Sequence, residues 1–549
     1  MPKYTPIIGM EVHVELKTNS KMFCSCKNDP DFANANTNIC EICTGQPGTL
    51  PVPNKTAIEW TVKIGKALGC KIRKLSKFDR KHYFYPDLPK AYQISQYDEP
   101  IAENGEITLS FTVEENIRDL AKIGIERVHL EEDTAKLTHA VSHPERSPGE
   151  AQDEVDRVSP KALAVAQGSP SANLEDSKNT NATLVDFNRA GTPLVEIVTK
   201  PDFKSSTEAK AYCQELRTLL RYLNVSDADM EKGHMRCEAN ISVQEAGKFE
   251  IDDKLVKPLG NYRLNNKVEL KNLNSFKAVE RGIEFEIKRQ TELLEKSETW
   301  GQETRGWNDD KDETVLQRVK ETSADYRYFP EPDIPPFHPA KIAGTISFPE
   351  LPQAKRARFH EEYKLSYADA KILSEDKNWA NFTEKVMSEL TEWLDSLPES
   401  KNKAEKLPEK IARLAGGWIT SKLMGILKEK NLDITQVSFS AENFAELIAL
   451  IYTNRVNATN AYKILVIMAG SDKDHDPTHL LEEKGWGQVS DEGKINEVVD
   501  EVIKSYPKQV AEFKSGKDPI IKFLIGMVMK ATEGSADPKV VEEVLRGKL

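Results

Sequence analysis

The sequence predicts an α+β protein, with an antiparallel sheet in its first part and an all-helical second part. Between Ile7 and about Ser297, short segments alternate apolar and polar residues with a period of two, the signature of half-buried strands. Residues 330–352 then carry seven prolines. Without N–H groups at those sites the stretch predicts an extended connection. Beyond it apolar residues recur at helical spacing.

The 549 residues predict about three domains. Residues 398–410 (PESKNKAEKLPEK) are polar, lysine-rich and flanked by prolines, as a linker is. The expected division is a sheet domain over 1–297, a linker and helical domain over 298–405, and a helical tail over 406–549.

Residues 8–16 open the sheet. Ile8, Met10, Val12, Val14 and Leu16 face a core, and Glu11, His13 and Glu15 share the other face. Residues 71–90 hold seven Lys/Arg against two Asp, with Phe78, Tyr83, Phe84 and Tyr85 interleaved. That mixture suits phosphate contacts with stacking on an exposed 3′ end. The alternative is a solvated basic loop whose aromatics are core. A short strand over 127–130 leads into Glu131, Glu132 and Asp133. Residues 142–183 are rich in Ser, Pro, Asn and acids and predict a surface insertion, partly disordered.

Ser205 and Glu208 form a capping-box pattern before a helix whose Tyr212, Leu216 and Leu220 lie on one apolar stripe. Residues 235–243 alternate again, placing Arg236, Glu238 and Asn240 outward, and Glu269 and Lys271 share a third polar face. Residues 274–296 predict a helix packing through Phe276, Val279, Ile283 and Ile287. Helices are expected over 518–532 and 538–545, in a tail with nine Lys/Arg against seven Asp/Glu from 501 onward.

One polar strand face is ordinarily just solvated. Three carrying carboxylates beside His, Arg and Lys predict a concave site for cations and phosphates, because Glu and Asp are poor strand formers. No GxxxxGK[ST] occurs and no GxGxxG follows a strand, so any ATP would be held through metal and carboxylates. Cys24, Cys26, Cys40 and Cys43 form two close pairs separated by thirteen residues, which predicts a structural Cys₄ zinc site although the first pair, C-x-C, is tighter than the usual C-x₂-C. Cys70, Cys213 and Cys237 lack such partners and are expected to be buried or idle thiols.

The net charge of −12 weighs against indiscriminate coating of nucleic acid. No apolar run approaches the ~20 residues of a membrane span, and the N-terminus lacks signal-peptide regions. A cytoplasmic protein without a membrane partner is the expectation.

The blocks IIGMEVHVELKTNSKMF, SKFDRKHYFYPDLPKAYQISQYDEPI, HLEED, DFNRAGTPLVEIV, KVELKNLNSF and DYRYFPEPDIPP, with the C-terminal FKSGKDPIIKFLIGMVMKATEGSADPKVVEEVL, resemble the B-subunit family of bacterial aspartyl/glutamyl-tRNA amidotransferases across nearly the whole length. The resemblance implies a cradle with a glutamine-synthetase-like catalytic fold, a helical domain and a tRNA-gripping tail. It also implies a reaction: ATP phosphorylates the side-chain carboxylate of Glu on tRNA(Gln) or Asp on tRNA(Asn), and ammonia displaces phosphate.

Carried over by motif, Glu11, His13, Glu131, Glu132, Glu238 and Glu269 would be the catalytic cradle for Mg²⁺ and nucleotide, with Arg80, Lys81 and Lys271 contacting phosphate. The chain lacks a Ser/Ser/Lys amidase signature, so an amidase A subunit and the family's small C subunit are implied partners. The stretch over 142–183 is longer than the family leads one to expect there. It is too short for the inserted domain of the related archaeal Glu-tRNA-specific subunit, the second reading. A non-catalytic zinc-ribbon RNA-binding scaffold is the third, and leaves the strand carboxylates unexplained.

Overall fold

A computed structural model describes residues 3–31, 33–113, 117–139, 183–252, 255–319, 326–395, 409–487, 492–532, 536 and 538–549. The chain divides into two compact units, Met1–Leu351 and Pro352–Leu549.

In the first unit the strands are β1 (Tyr4–Glu15), β2 (Lys71–Ile72), β3 (Asp79–His82), β4 (Tyr92–Ser95), β5 (Ala102–Val113), β6 (Ile117–Glu132), β7 (Lys136–His139) and β8 (Thr183–Asp186). They continue as β9 (Pro193–Thr199), β10 (Met235–Glu245), β11 (Phe249–Asp252), β12 (Leu255–Pro258), β13 (Val268–Leu273), β14 (Glu303–Asn308), β15 (Glu313–Val319) and β16 (Phe329–Pro330). Nine of them form one sheet in the order β15-β14-β13-β10-β1-β9-β6-β5-β2.

Helices α1 (Lys55–Ala67), α2 (Ser206–Tyr222) and α3 (Phe276–Glu295) contribute to the apolar core of this unit. Val12, Val14, Ile197, Ala239 and Ile241 meet Leu216, Leu220, Val279 and Ile283 there, all fully buried. Burying such a side chain contributes about 1.5–3 kcal/mol. That burial fixes which side of each strand is left for polar residues. Ser205 caps α2 by accepting from the Glu208 N–H at 3.2 Å, and the Glu208 carboxylate takes the Lys204 N–H at 2.6 Å.

Four expectations change. The sheet is antiparallel at every junction but β13–β14, which is parallel because α3 carries the chain back between the two strands. It does not end at residue 297, since β14 and β15 extend its edge. The strand expected over 127–130 is the end of the sixteen-residue β6.

The proline-rich stretch is also more than a connection. It holds β16 and the short α4 (Pro339–Ala343), with proline at the helix start, where no N–H is missed. Ile334, Phe337, Phe348 and Leu351 pack on the core of the first unit. Most of the expected insertion, 142–182, and of the linker, 398–408, lie outside the described residues. β7 and β8 flank the former and pair with each other, His139 opposite Thr183.

Among the described residues the second unit is helical. A helix from Glu409 passes through a π turn at Ile419–Leu423 to Glu429. The expected tail helices are Ile520–Ala531 and Pro538–Lys548. With Glu492–Ser505 and Pro507–Lys514 they gather a separate core around Val499, Leu524, Val528 and Leu545. No described helix is long and apolar enough to cross a membrane.

Candidate functional site

Strand register turns the polar side of the sheet into a lattice. Residues opposite each other on antiparallel strands share a face. In one row Glu11 lies opposite Glu238 on β10 and Val198 on β9, and Val198 lies opposite Arg127 on β6. In the next, His13 faces Arg236 and Glu196, and Glu196 faces His129. In the third, Leu194 lies between Glu15 and Glu131.

At the centre the imidazoles converge on Glu196. Its Oε2 is 3.4 Å from His13 Nε2 and 3.2 Å from His129 Nε2. His13 Nε2 also lies 3.8 Å from Glu11 and 3.9 Å from Glu131. Ser95 Oγ donates to Glu131 at 2.8 Å.

Electrostatics follow from this crowding. Burial, Glu196 and Glu238 push the Glu11 carboxyl up to about 7. Burial opposes the charge on His13, but its hydrogen bond with Glu196 and the surrounding carboxylates raise it to about 9. Burial likewise opposes the Lys81 ammonium, yet Glu131 and Glu196 hold it above the ordinary lysine range. At the open end Lys271 Nζ lies 2.9 Å from Glu238 and 3.2 Å from Glu269, which also accepts from Thr304 Oγ1 at 3.0 Å.

His13 thus meets both Glu11 and Glu131, with Lys81 beside them, and Glu238, Glu269 and Lys271 form the adjoining group. Two nominated residues are engaged elsewhere. Glu132 points to the opposite face from Glu131, as successive strand residues must. There it accepts from the Ile94 N–H at 3.0 Å and from Lys90 Nζ at 2.5 Å. Arg80 donates to the buried carboxylate of Glu331 at 2.6 and 2.8 Å and stacks over Tyr92.

The aromatics of 71–90 also divide. Phe78 is core, packed on Phe23 and Phe337, whereas Phe84 is 86% exposed and Tyr85 is exposed too. The sequence reading passed over Glu196, His129 and Arg127. Glu196 is the lone carboxylate in the apolar run of β9, and His129 and Arg127 precede Glu131 by two and four residues, which puts them on its face.

On the same face Arg236 makes a short ion pair with Asp133, whose carboxylate lies 3.6 Å from Arg189 Nε. Arg189 also donates to the Thr134 and Ala135 carbonyls, tying the turn before β9 to the end of β6.

The donor set suits a hard divalent cation. Glu11, His13 and Glu196 present ligand atoms within 4.8 Å of one another, as do His129, Glu131 and Glu196. The four cysteine sulfurs of the 24–43 segment meet the same limit. Four thiols gathered this closely are the donor set of a tetrahedral structural zinc site. Hydrogen bonds from Cys24 and the Cys40 N–H, together with the Lys21 ammonium, lower the Cys43 thiol to about 5, while the shared hydrogen bond and burial raise the Cys24 thiol and burial raises that of Cys26. The knuckle also docks on the turn before β9: Asn38 N–H donates to Asn188 at 2.9 Å, Met22 N–H to the Gly191 carbonyl at 2.7 Å and Lys21 Nζ to the Ala190 carbonyl at 2.7 Å. Cys70, Cys213 and Cys237 are buried thiols.

Comparison with known proteins bears on both units. Residues 6–342 match the GatB/GatE catalytic domain and residues 399–549 the GatB domain. The chain is 40% identical to the aspartyl/glutamyl-tRNA(Asn/Gln) amidotransferase B subunit of Rippkaea orientalis, covering 100% of this chain and 98% of that one. It is 39% identical to the protein of the same name from Persephonella marina, with 99% of each covered. The Thermoanaerobacter pseudethanolicus protein of that name is also 39% identical, over 100% of this chain and 99% of its own length. With matches running the full length of both units, the chain belongs to the B-subunit family of the aspartyl/glutamyl-tRNA(Asn/Gln) amidotransferases.

Proposed function

We propose that the polar face of the sheet activates the side-chain carboxylate of Glu on tRNA(Gln), of Asp on tRNA(Asn), or of both. A carboxylate oxygen attacks the γ-phosphorus of ATP and ADP leaves. Ammonia then attacks the acyl carbon, the bond to the phosphorylated oxygen breaks, and the amide forms with loss of phosphate and a proton. The first step is needed because a bare carboxylate has no adequate leaving group.

The observation that carries this reading is the lattice itself, with acidic and imidazole ligands from several strands on one face and ammonium groups at its margins. Glu11, His13, Glu131 and Glu196 are the residues suited to hold Mg²⁺, and Glu238 and Glu269 extend the acidic floor. Bound Mg²⁺ would offset charge on the transferring phosphoryl. Lys81 and Lys271 keep the anionic substrate from meeting unrelieved negative charge. On this reading the sheet is the glutamine-synthetase-like cradle, and the cysteine knuckle holds structural Zn²⁺.

Ammonia comes from a partner amidase A subunit, with a small C subunit completing the complex, since this chain has no amidase signature. The tail contributes tRNA contacts. The test is amidation of both mischarged tRNAs by the assembled complex with ammonium as donor. Product must depend on ATP and appear with ADP in equal amount. Amidation without ATP would refute phosphoryl activation, and neither tRNA reacting would leave the scaffold reading in its place.

A further inference from the structure

Arg80 spends its guanidinium on Glu331, but Arg127 stands in a different situation. It lies on β6 with His129 and Glu131, on the face of the site. Register between β6 and β9 shifts between Ile125 and Arg127. A bulge of that kind re-aims a side chain, and bulges concentrate beside active sites.

Val198 is its neighbour across β9, and Glu11 lies beyond Val198. Arg127 and Glu11 are therefore two strand spacings apart, about 10 Å at the backbone, with a short apolar side chain between them. One wall of that gap is acidic and suited to a metal; the other is a guanidinium. Arg127 is also incompletely satisfied. Its Nη2 is 3.8 Å from Glu196 Oε1, too far for a hydrogen bond. Its buried Nε has no hydrogen-bond partner among the described residues. A buried N–H is rarely left so unless something else takes it.

We propose that Arg127 is a phosphate-binding residue of this site, its N–H groups gripping the oxygens of the phosphoryl group that ATP delivers. A guanidinium matches phosphate with a planar fork of donors, which an ammonium lacks. The inference rests on the phosphoryl-transfer reading above and adds to it a residue that the family resemblance did not supply.

The test uses the assembled complex carrying Arg127→Gln or Arg127→Lys, with ammonium as donor. MgATP binding is followed by calorimetry, and Mn²⁺ binding without nucleotide by electron paramagnetic resonance. Arg127→Gln is expected to weaken MgATP binding about tenfold and to slow ATP-dependent amidation about a hundredfold, the usual loss for one transition-state donor. Mn²⁺ affinity should stay within about threefold, because a phosphate ligand adds nothing to the free metal site. Arg127→Lys keeps charge and bulk and should restore binding more than turnover; it also serves if the Gln variant fails to assemble.

Unchanged nucleotide affinity and turnover in both variants would overturn the proposal. So would Mn²⁺ affinity falling in step with that for ATP, which would make Arg127 a positioning residue for Glu196. Glu238→Gln separates the two levels of inference. If it amidates normally, the phosphoryl-transfer reading of this face fails and Arg127 falls with it; if only Glu238→Gln is impaired, Arg127 alone was misassigned.

Discussion

Cys24, Cys26, Cys40 and Cys43 come from one short stretch of chain, whereas Glu11, Glu131, Glu196, Glu238 and Glu269 come from five strands of the sheet. The knuckle is a closed set whose sulfurs have one another, a backbone N–H and Lys21 for company. The sheet face runs from buried to partly open: Glu131 and Glu196 are 2% and 5% exposed, Glu238 and Glu269 are 17% each, and Glu11 is 29% exposed. A closed set suits a metal that holds structure, and an open gradient suits one that must meet a substrate. The two regions should therefore fail in different ways.

The largest effect is expected at the open end. Glu11→Gln should lower ATP-dependent amidation about a thousandfold, the upper range for a single electrostatic group, while glutaminase activity of the proposed amidase partner survives. Normal amidation by this variant would remove the open site from the comparison.

Cys40→Ser should act on structure. Metal analysis of the wild type should find about one zinc per chain, and the variant should lose it and melt several degrees lower. An unchanged melting temperature in metal-free protein would show that the knuckle is not a structural closed set.

Adjacent carboxylates sharpen the contrast further. Glu131→Gln should cripple amidation, whereas Glu132→Gln should leave it within about tenfold and lower stability by about 3 kcal/mol, since Lys90 is left buried without its partner. Denaturant melts alongside turnover check this; equal kinetic damage from both would mean that the two faces are not separate in function.

The smallest effect concerns Glu15. Burial and the neighbouring Asp133 raise its carboxyl well above the ordinary range. The folded state then holds a proton that the unfolded chain releases above about 4.3, so this group's contribution to stability falls as pH rises through that window. Glu15→Gln, which keeps a hydrogen-bond donor, should match the wild type near pH 4 and melt at a higher temperature near pH 8. A difference independent of pH would remove the protonation argument.

How much of this was legible depended on how far apart in sequence the partners lie. The knuckle could be read whole because spacing alone brings its ligands together. Period-two alternation gave the face that carries Glu11, His13, Glu238 and Glu269, but alternation says nothing about which strand lies next to which. Glu196 stayed hidden because its strand is buried on both sides and reads as an apolar run. Glu132 was misplaced by treating a run of acids as one cluster, although consecutive strand residues point apart. The edge pair β14 and β15 was missed because β15 leaves Val315, Leu316 and Val319 exposed and so shows no clean alternation.

The pairing of β7 with β8 has an engineering consequence. Because His139 and Thr183 are held side by side, the two ends of the 140–182 segment are fixed next to each other. Lengthening a loop with fixed ends adds only about 0.6 kcal/mol for each doubling of its length. Evolution can therefore edit this position at little thermodynamic penalty, and so can an experimenter. A fluorescent domain with neighbouring termini can be spliced in there as a reporter of complex assembly, leaving the register of the nine-stranded sheet as it is.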